Sequence, residues 1–169
     1  LAATSFGGGV VSVPMNSEFK IDVESIKSSV TAKTKIIVLA SPNNPTGNRV
    51  TNSNLESLLG IGLPVIVDET YYEFCGKTVI PLRNRYDNLI VLRSFSKWAG
   101  IAGLRVGFGV MESNLANVLL NMKPPYNMNI AAEIAVKASL RDKKLLDKRI
   151  ESTKSERDRM YTLMQSIPN

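Results

Sequence analysis

A chain of 169 residues with 44% hydrophobic and 21% charged residues has the make-up of one folded domain with room for a core, which excludes a disordered segment. It carries no histidine and a single cysteine, Cys75. Serine–histidine and cysteine–histidine catalysis, the usual zinc sites and an internal disulfide are thereby excluded, and a reducing compartment is the default. The net charge of +6, from 21 basic and 15 acidic residues, does not read as a nucleic-acid face. Much of it lies along 141–159 with acids interleaved and no aromatic side chain to stack on bases, which describes a solvated helix.

Leu1 opens without a charged leader region or cleavage motif, and the missing initiator methionine reads as an internal cut. After Gly7-Gly-Gly9, Val10-Val-Ser-Val-Pro14 has the look of a strand entered from a turn; the glycines precede it and have no Walker lysine, so they read as a connection. A weak helical period over 22–30 has Asp22 placed as its cap. Lys35-Ile-Ile-Val-Leu-Ala40 is a continuous apolar run, the pattern of a parallel strand covered on both faces. It stops at Ser41-Pro-Asn-Asn-Pro-Thr-Gly47, a rigid loop at the strand's carboxyl end. The spacing then predicts a helix over 52–59, a buried strand Pro64-Val-Ile-Val-Asp68 followed by Glu69-Thr-Tyr-Tyr-Glu-Phe74, and a third strand, Leu89-Ile-Val-Leu92. No apolar run is of membrane-spanning length; the most apolar, 61–67, is broken by Gly62 and Pro64. A strand over 105–110 follows too short a connection for a crossover helix and is expected to run antiparallel. Helices over 113–122 and 130–140 flank the stiff Pro124-Pro-Tyr-Asn127, and 143–164 is a long helix with a polar middle. Together these predict an α/β fold, a mostly parallel sheet with flanking helices and one shared ligand edge.

The third strand runs into Arg93-Ser-Phe-Ser-Lys-Trp-Ala-Gly-Ile-Ala-Gly-Leu-Arg105. A lysine amine beside two hydroxyl residues, Ser94 and Ser96, with glycines and a guanidinium close by, is what a pyridoxal phosphate site requires: an amine for the aldehyde, and donors for the phosphate. Taken singly, Lys97 reads as a surface lysine, Asp68 as a helix cap, Tyr71 as packing and Asn44 as a turn former. Taken together, Asn-Pro-Thr-Gly, Asp-x-x-Tyr, Ser-x-Ser-Lys and Arg-x-Gly, in that order, resemble the class I/II pyridoxal-phosphate aminotransferases of fold type I. Within them the loops 41–47, 68–74 and 93–105, with Pro125-Tyr-Asn127, look most like the histidinol-phosphate aminotransferase branch, and the resemblance runs through nearly the whole chain.

The resemblance implies pyridoxal 5'-phosphate bonded through Lys97, Asp68 as partner of its ring nitrogen, and Tyr71 and Asn44 as partners of its ring oxygen. Ser94, Ser96 and Arg105 are implied as phosphate ligands, with no metal. Lys97, Asp68 and Tyr71 are the implied catalytic residues, for transfer of an amino group between histidinol phosphate and 2-oxoglutarate in histidine biosynthesis. The small-molecule partners are thus an amino donor and a 2-oxo acid, with neither nucleic acid nor membrane. A homodimer in the full-length protein is implied too, in the cytoplasm, or in the plastid stroma of a plant or alga. Residues 1–141 are expected to be part of the cofactor-binding large domain, and 142–169 a connecting helix toward a small domain. The family's upstream glycine-rich phosphate loop, stacking aromatic and small-domain arginine have no counterpart here, so the chain reads as a central piece, inactive alone. The same pattern leaves open another class I/II aminotransferase, a phospho-amino-acid decarboxylase of this fold, or a catalytically silent fragment.

Overall fold

In the computed structural model, which describes residues 2–167, the apolar runs become parallel strands β1 (Ile37–Ala40), β2 (Val65–Asp68) and β3 (Leu89–Ser94). Strand β4 (Gly107–Val110) joins β3 antiparallel, giving the order β1-β2-β3-β4. The direction of β4 follows from its connection, which between Phe95 and Val106 holds only a 3₁₀ turn, Ala102–Leu104. Register sets Ala40 beside Asp68 and Asp68 beside Leu92, so the parallel strands share one carboxyl edge, the place where such sheets bind ligands.

Two short helices precede the sheet, α1 (Ala2–Ser5) and α2 (Val23–Ser28). Asp22 caps α2 as expected, accepting from the Ser25 amide and hydroxyl, and these donors hold its carboxyl below the ordinary carboxylate value. Helix α3 (Asn52–Leu59), capped by the Thr51 hydroxyl, returns the chain from β1 to β2. Its Leu55 and Leu59 pack on the sheet face made by Ile37, Val65, Val67, Leu89 and Val91, closed off by Val50, Val79 and Leu82. Alternation along the strands puts every second side chain on that face.

The other face is less covered than the continuous apolar runs predict: Val38 on β1 is 64% exposed. Burial on both faces therefore does not hold for β1, since an apolar run reports that a strand can be buried and not which faces are. Residues 10–14 do not form the expected strand either. They run as irregular chain with Val10 and Val11 exposed, and without a neighbouring strand a short β-prone segment has nothing to pair with.

After α4 (Tyr72–Cys75) and a 3₁₀ segment (Ile80–Asn84), the carboxyl-terminal part is helical: α5 (Ser113–Met122), α6 (Ile130–Arg141) and α7 (Lys143–Met164). The first turns of α7 dock through Leu146, which joins Phe95 and Ala99 in a second apolar cluster bordered by Trp98, Ile101, Val106 and Val136. Beyond Ile150 the helix is solvated and laced by Lys154–Glu151 and Arg159–Glu156 pairs, so the basic balance at this end is the solvated face expected. Among the described residues no helix is long and apolar enough to cross a membrane.

Candidate active site

Three loops leave the carboxyl edge and carry the motif residues. The first, after β1, holds cis peptide bonds at Ser41–Pro42 and Asn44–Pro45, and Ser41 ties its far end down by accepting from the Val50 amide. Asn44 in this loop donates from Nδ2 to the Tyr71 hydroxyl oxygen at 2.9 Å. Tyr71 belongs to the second loop, which opens at Asp68. There Oδ1 accepts from both the Thr70 amide (2.9 Å) and the Thr70 hydroxyl (2.6 Å), so the carboxylate is fixed by its own turn.

The third loop is anchored from below. Phe95 is buried against Trp98 (ring centroids 5.4 Å apart) and Phe108 (5.9 Å), and the Phe95 amide bonds the Val106 carbonyl. Gly100, at φ +71°, lets the chain turn back and close on the Lys97 carbonyl. Gly107 has a different reason: a Cβ there would lie 2.5 Å from the Arg93 carbonyl, so the glycine of Arg-x-Gly is where β4 crowds β3. With its apolar neighbours pinned, Lys97 stays exposed, its Nζ 6.0 Å from the Tyr71 ring centroid. Among the described residues it forms no ion pair.

Of the residues singled out in the sequence, the fold thus brings Asn44, Tyr71 and Lys97 together, and joins Ser94 to Ser96 through a bond from the Ser96 amide to the Ser94 hydroxyl oxygen. Asp68 lies on the same edge, at the end of β2. Arg105 is not aimed at the serines. It is exposed, holds a left-handed backbone at φ 53°, and donates to the Ala102 carbonyl at 3.0 Å. A cleft of about 320 Å³ opens beside Asn44 and Tyr71, lined also by Phe74, Cys75 and Arg157 of α7. A roomier cleft of about 450 Å³ between Arg49 and Lys77 includes none of the motif residues.

Under the motif residues lies a network that their spacing does not announce. Glu69 (1% exposed) and Arg93 (8% exposed) form a buried pair, Arg93 Nε and Nη2 both reaching Glu69 Oε2, at 2.9 and 2.8 Å. Thr78 bridges them, donating to Glu69 and accepting from Arg93, while the Val79 amide donates to Glu69 Oε1. The Arg93 guanidinium also stacks 3.5 Å over the Tyr72 ring. Glu73 approaches Arg93 Nη1 at 3.6 Å, yet its buried Oε2 has no hydrogen-bond partner among the described residues.

Burial accordingly raises the Glu73 carboxyl above its ordinary value of 4.5, against the lowering pull of a backbone hydrogen bond and of Arg93. A raised pKa means the folded chain holds the proton more tightly than the unfolded one, so stability present in acid is lost as pH climbs past 4.5 through the folded value. Glu73→Gln should therefore melt higher relative to wild type at pH 7 than at pH 4, in parallel thermal scans. An equal difference at both values would show that Glu73 titrates normally.

Among known proteins, the family described as aminotransferase class I and II matches residues 2–168. A histidinol-phosphate aminotransferase of Dehalococcoides mccartyi is 41% identical over 155 residues, covering 92% of this chain and 43% of that protein. The solved histidinol-phosphate aminotransferase of Clostridium acetobutylicum superposes with a TM-score of 0.88 at 25% identity, over 98% of this chain and 52% of its own. That of Sinorhizobium meliloti, in complex with pyridoxal-5'-phosphate, gives 0.78 at 25% identity, over 91% and 44%. The chain spans about half, or less, of the length of these relatives.

Proposed function

The chain belongs to the class I and II aminotransferase family, and from that premise we propose that it forms the lysine-bearing part of a pyridoxal-phosphate-dependent histidinol-phosphate aminotransferase. The observation that carries this reading is the meeting of Asn44, Tyr71 and Lys97 at one sheet edge with Asp68 and the Ser94–Ser96 pair. The donor set fits the cofactor: an amine with no ion-pair partner among the described residues, a strand-end carboxylate, a phenol already oriented by an amide, and two hydroxyls. Residues 1–141 act as part of the large domain, and 142–169 as the helix leading toward a small domain. Side chains left open, among them Val38, Leu120 and Met122, support burial against the rest of such an enzyme or a second subunit.

When bound, the cofactor supplies an electron sink that requires its ring nitrogen to stay protonated. The motif residues divide the work of holding it. Thr70 occupies Asp68 Oδ1, so Oδ2 is the oxygen offered to a ring N–H, and the charge stays fixed in place. Asn44 donates to the Tyr71 oxygen, leaving the phenol O–H to donate in turn to an anionic ring oxygen. Ser94 and Ser96 would offer hydroxyls to the phosphate, and the exposed Arg105 guanidinium, here bonded to the Ala102 carbonyl, would add its charge to them. Lys97 Nζ would bond the cofactor's aldehyde carbon at rest and, when free, would be the base that moves a proton between the substrate's amine-bearing carbon and that cofactor carbon.

A full-length enzyme carrying this chain should transfer the amino group of histidinol phosphate to 2-oxoglutarate with higher kcat/KM than that of aromatic or acidic amino acids. Coupled assays across such a donor panel measure this. Preference for an ordinary amino acid moves the reading to a neighbouring aminotransferase, and release of carbon dioxide from a phosphorylated amino acid moves it to a decarboxylase.

A further inference from the structure

We propose that the buried Glu69–Arg93 pair is a positioning device for the cofactor-binding ends of β2 and β3, an inference that rests on the function proposed above. The argument begins with register. The ladder between β2 and β3 ends at Asp68 beside Leu92, and the bond from the Glu69 amide to the Leu92 carbonyl is its last main-chain link. Past that point the two chains part, one toward Tyr71 and the other toward Lys97. Because side chains alternate across a strand, Asp68 and Ser94 lie on one face of this edge while Glu69 and Arg93 lie on the other. The ion pair therefore takes over where the ladder stops, directly beneath the two residues assigned to the cofactor's ring nitrogen and phosphate.

Its further bonds tie in a third segment. Thr78 and the Val79 amide both bind Glu69, and Thr78 also accepts from Arg93, so the turn after α4 is locked to the same point. The Tyr72 ring covers the guanidinium, leaving the pair dry. A dry ion pair is a poor source of stability, because desolvation consumes most of the attraction and an apolar pair of similar volume commonly serves as well. What an apolar pair lacks is direction: the guanidinium fork and carboxylate fix angles and distances that methyl groups do not. The strand interiors have their own hold in Val65, Val67, Leu89 and Val91, so the pair has little to add to the fold and much to add to the geometry of its rim.

The test uses a full-length enzyme carrying this chain, in wild-type form and with Glu69→Met and Arg93→Met combined, which removes both charges and keeps the volume. Lys143 remains near Glu73, where it opposes part of the raising effect of burial on that carboxyl. Two quantities are read: the unfolding temperature of the cofactor-free protein, and its dissociation constant for pyridoxal phosphate by equilibrium dialysis. The expected result is a protein that still folds, its unfolding temperature lowered by the stranded Thr78 hydroxyl and Val79 amide, with binding measured well below that temperature weakened about tenfold or more, and kcat lowered on the order of 10²-fold with KM for the amino donor little changed, as a displacement of about 1 Å at the reacting groups produces. A folded double variant that binds the cofactor as wild type does overturns the proposal. Should that variant fail to fold, Arg93→Lys decides: it keeps the charge but loses the fork that spans Glu69 and Thr78. Weakened binding in it supports the proposal, and wild-type binding overturns it. Wild-type enzyme that binds no pyridoxal phosphate is a separate outcome, and overturns the proposed function itself.

Discussion

Lys97→Ala in a full-length enzyme carrying this chain will lower turnover by about 10⁴-fold or more, since both the covalent hold on the cofactor and the proton transfer at the substrate are assigned to this one amine. The same change will leave stability nearly untouched. Lys97 is exposed, has no ion-pair partner among the described residues, and sits on a loop anchored by Phe95, Trp98 and Ala99, so its replacement is worth within about 0.5 kcal/mol, as at other surface positions. Lys97→Arg will be as inactive as the alanine variant, because a guanidinium keeps its charge and does not give up a proton at working pH. Borohydride reduction of the loaded wild-type enzyme, followed by digestion and mass spectrometry, should find the label concentrated on Lys97. Label scattered over the 143–159 lysines, or a Lys97→Ala enzyme with more than a few per cent of wild-type turnover, would remove this residue from the chemistry.

The residues that touch the cofactor in this reading were legible in the chain because their spacing is local. Ser94, Ser96, Lys97 and Arg105 lie within one loop, and Asp68 and Tyr71 are three apart, so a linear pattern is enough to find them. Glu69 and Arg93 were not legible, although each adjoins a motif residue. Their meaning comes from the register that sets β2 against β3, and register is a property of two segments at once. Arg157 was hidden for the same reason: in a polar run of α7 it looks like any solvated cation, and only the packing of Leu146 and Ile150 brings that helix back over the Asn44 loop. The orientation of Arg105 depends on a left-handed φ that spacing does not encode. For the fold, continuous apolar runs gave β1, β2 and β3, the Asp22 cap gave the start of α2, and the spacing of its leucines gave α3. Residues 10–14 have strand-like composition and no strand beside them, which composition cannot reveal.

Asp68→Asn separates the electronic role of this carboxylate from its role in the turn. The amide carbonyl of asparagine can still accept from the Thr70 amide and hydroxyl, which both land on Oδ1, so the loop before Tyr71 keeps its shape. What the variant loses is the negative charge facing a ring N–H, and removing one preorganised electrostatic partner of developing charge costs on the order of 10²–10³-fold in kcat. The expected result is therefore an enzyme that retains pyridoxal phosphate and its unfolding temperature but turns over roughly 10³ times more slowly. Asp68→Ala should lose the charge and the turn together, adding to the same kinetic defect a destabilisation of about 1–3 kcal/mol from the stranded Thr70 donors. Steady-state kinetics, cofactor content and thermal unfolding on the two variants resolve the question. If Asp68→Asn turns over at near the wild-type rate while Asp68→Ala only melts earlier, the carboxylate is a cap for its own turn, and the ring nitrogen must find its partner elsewhere.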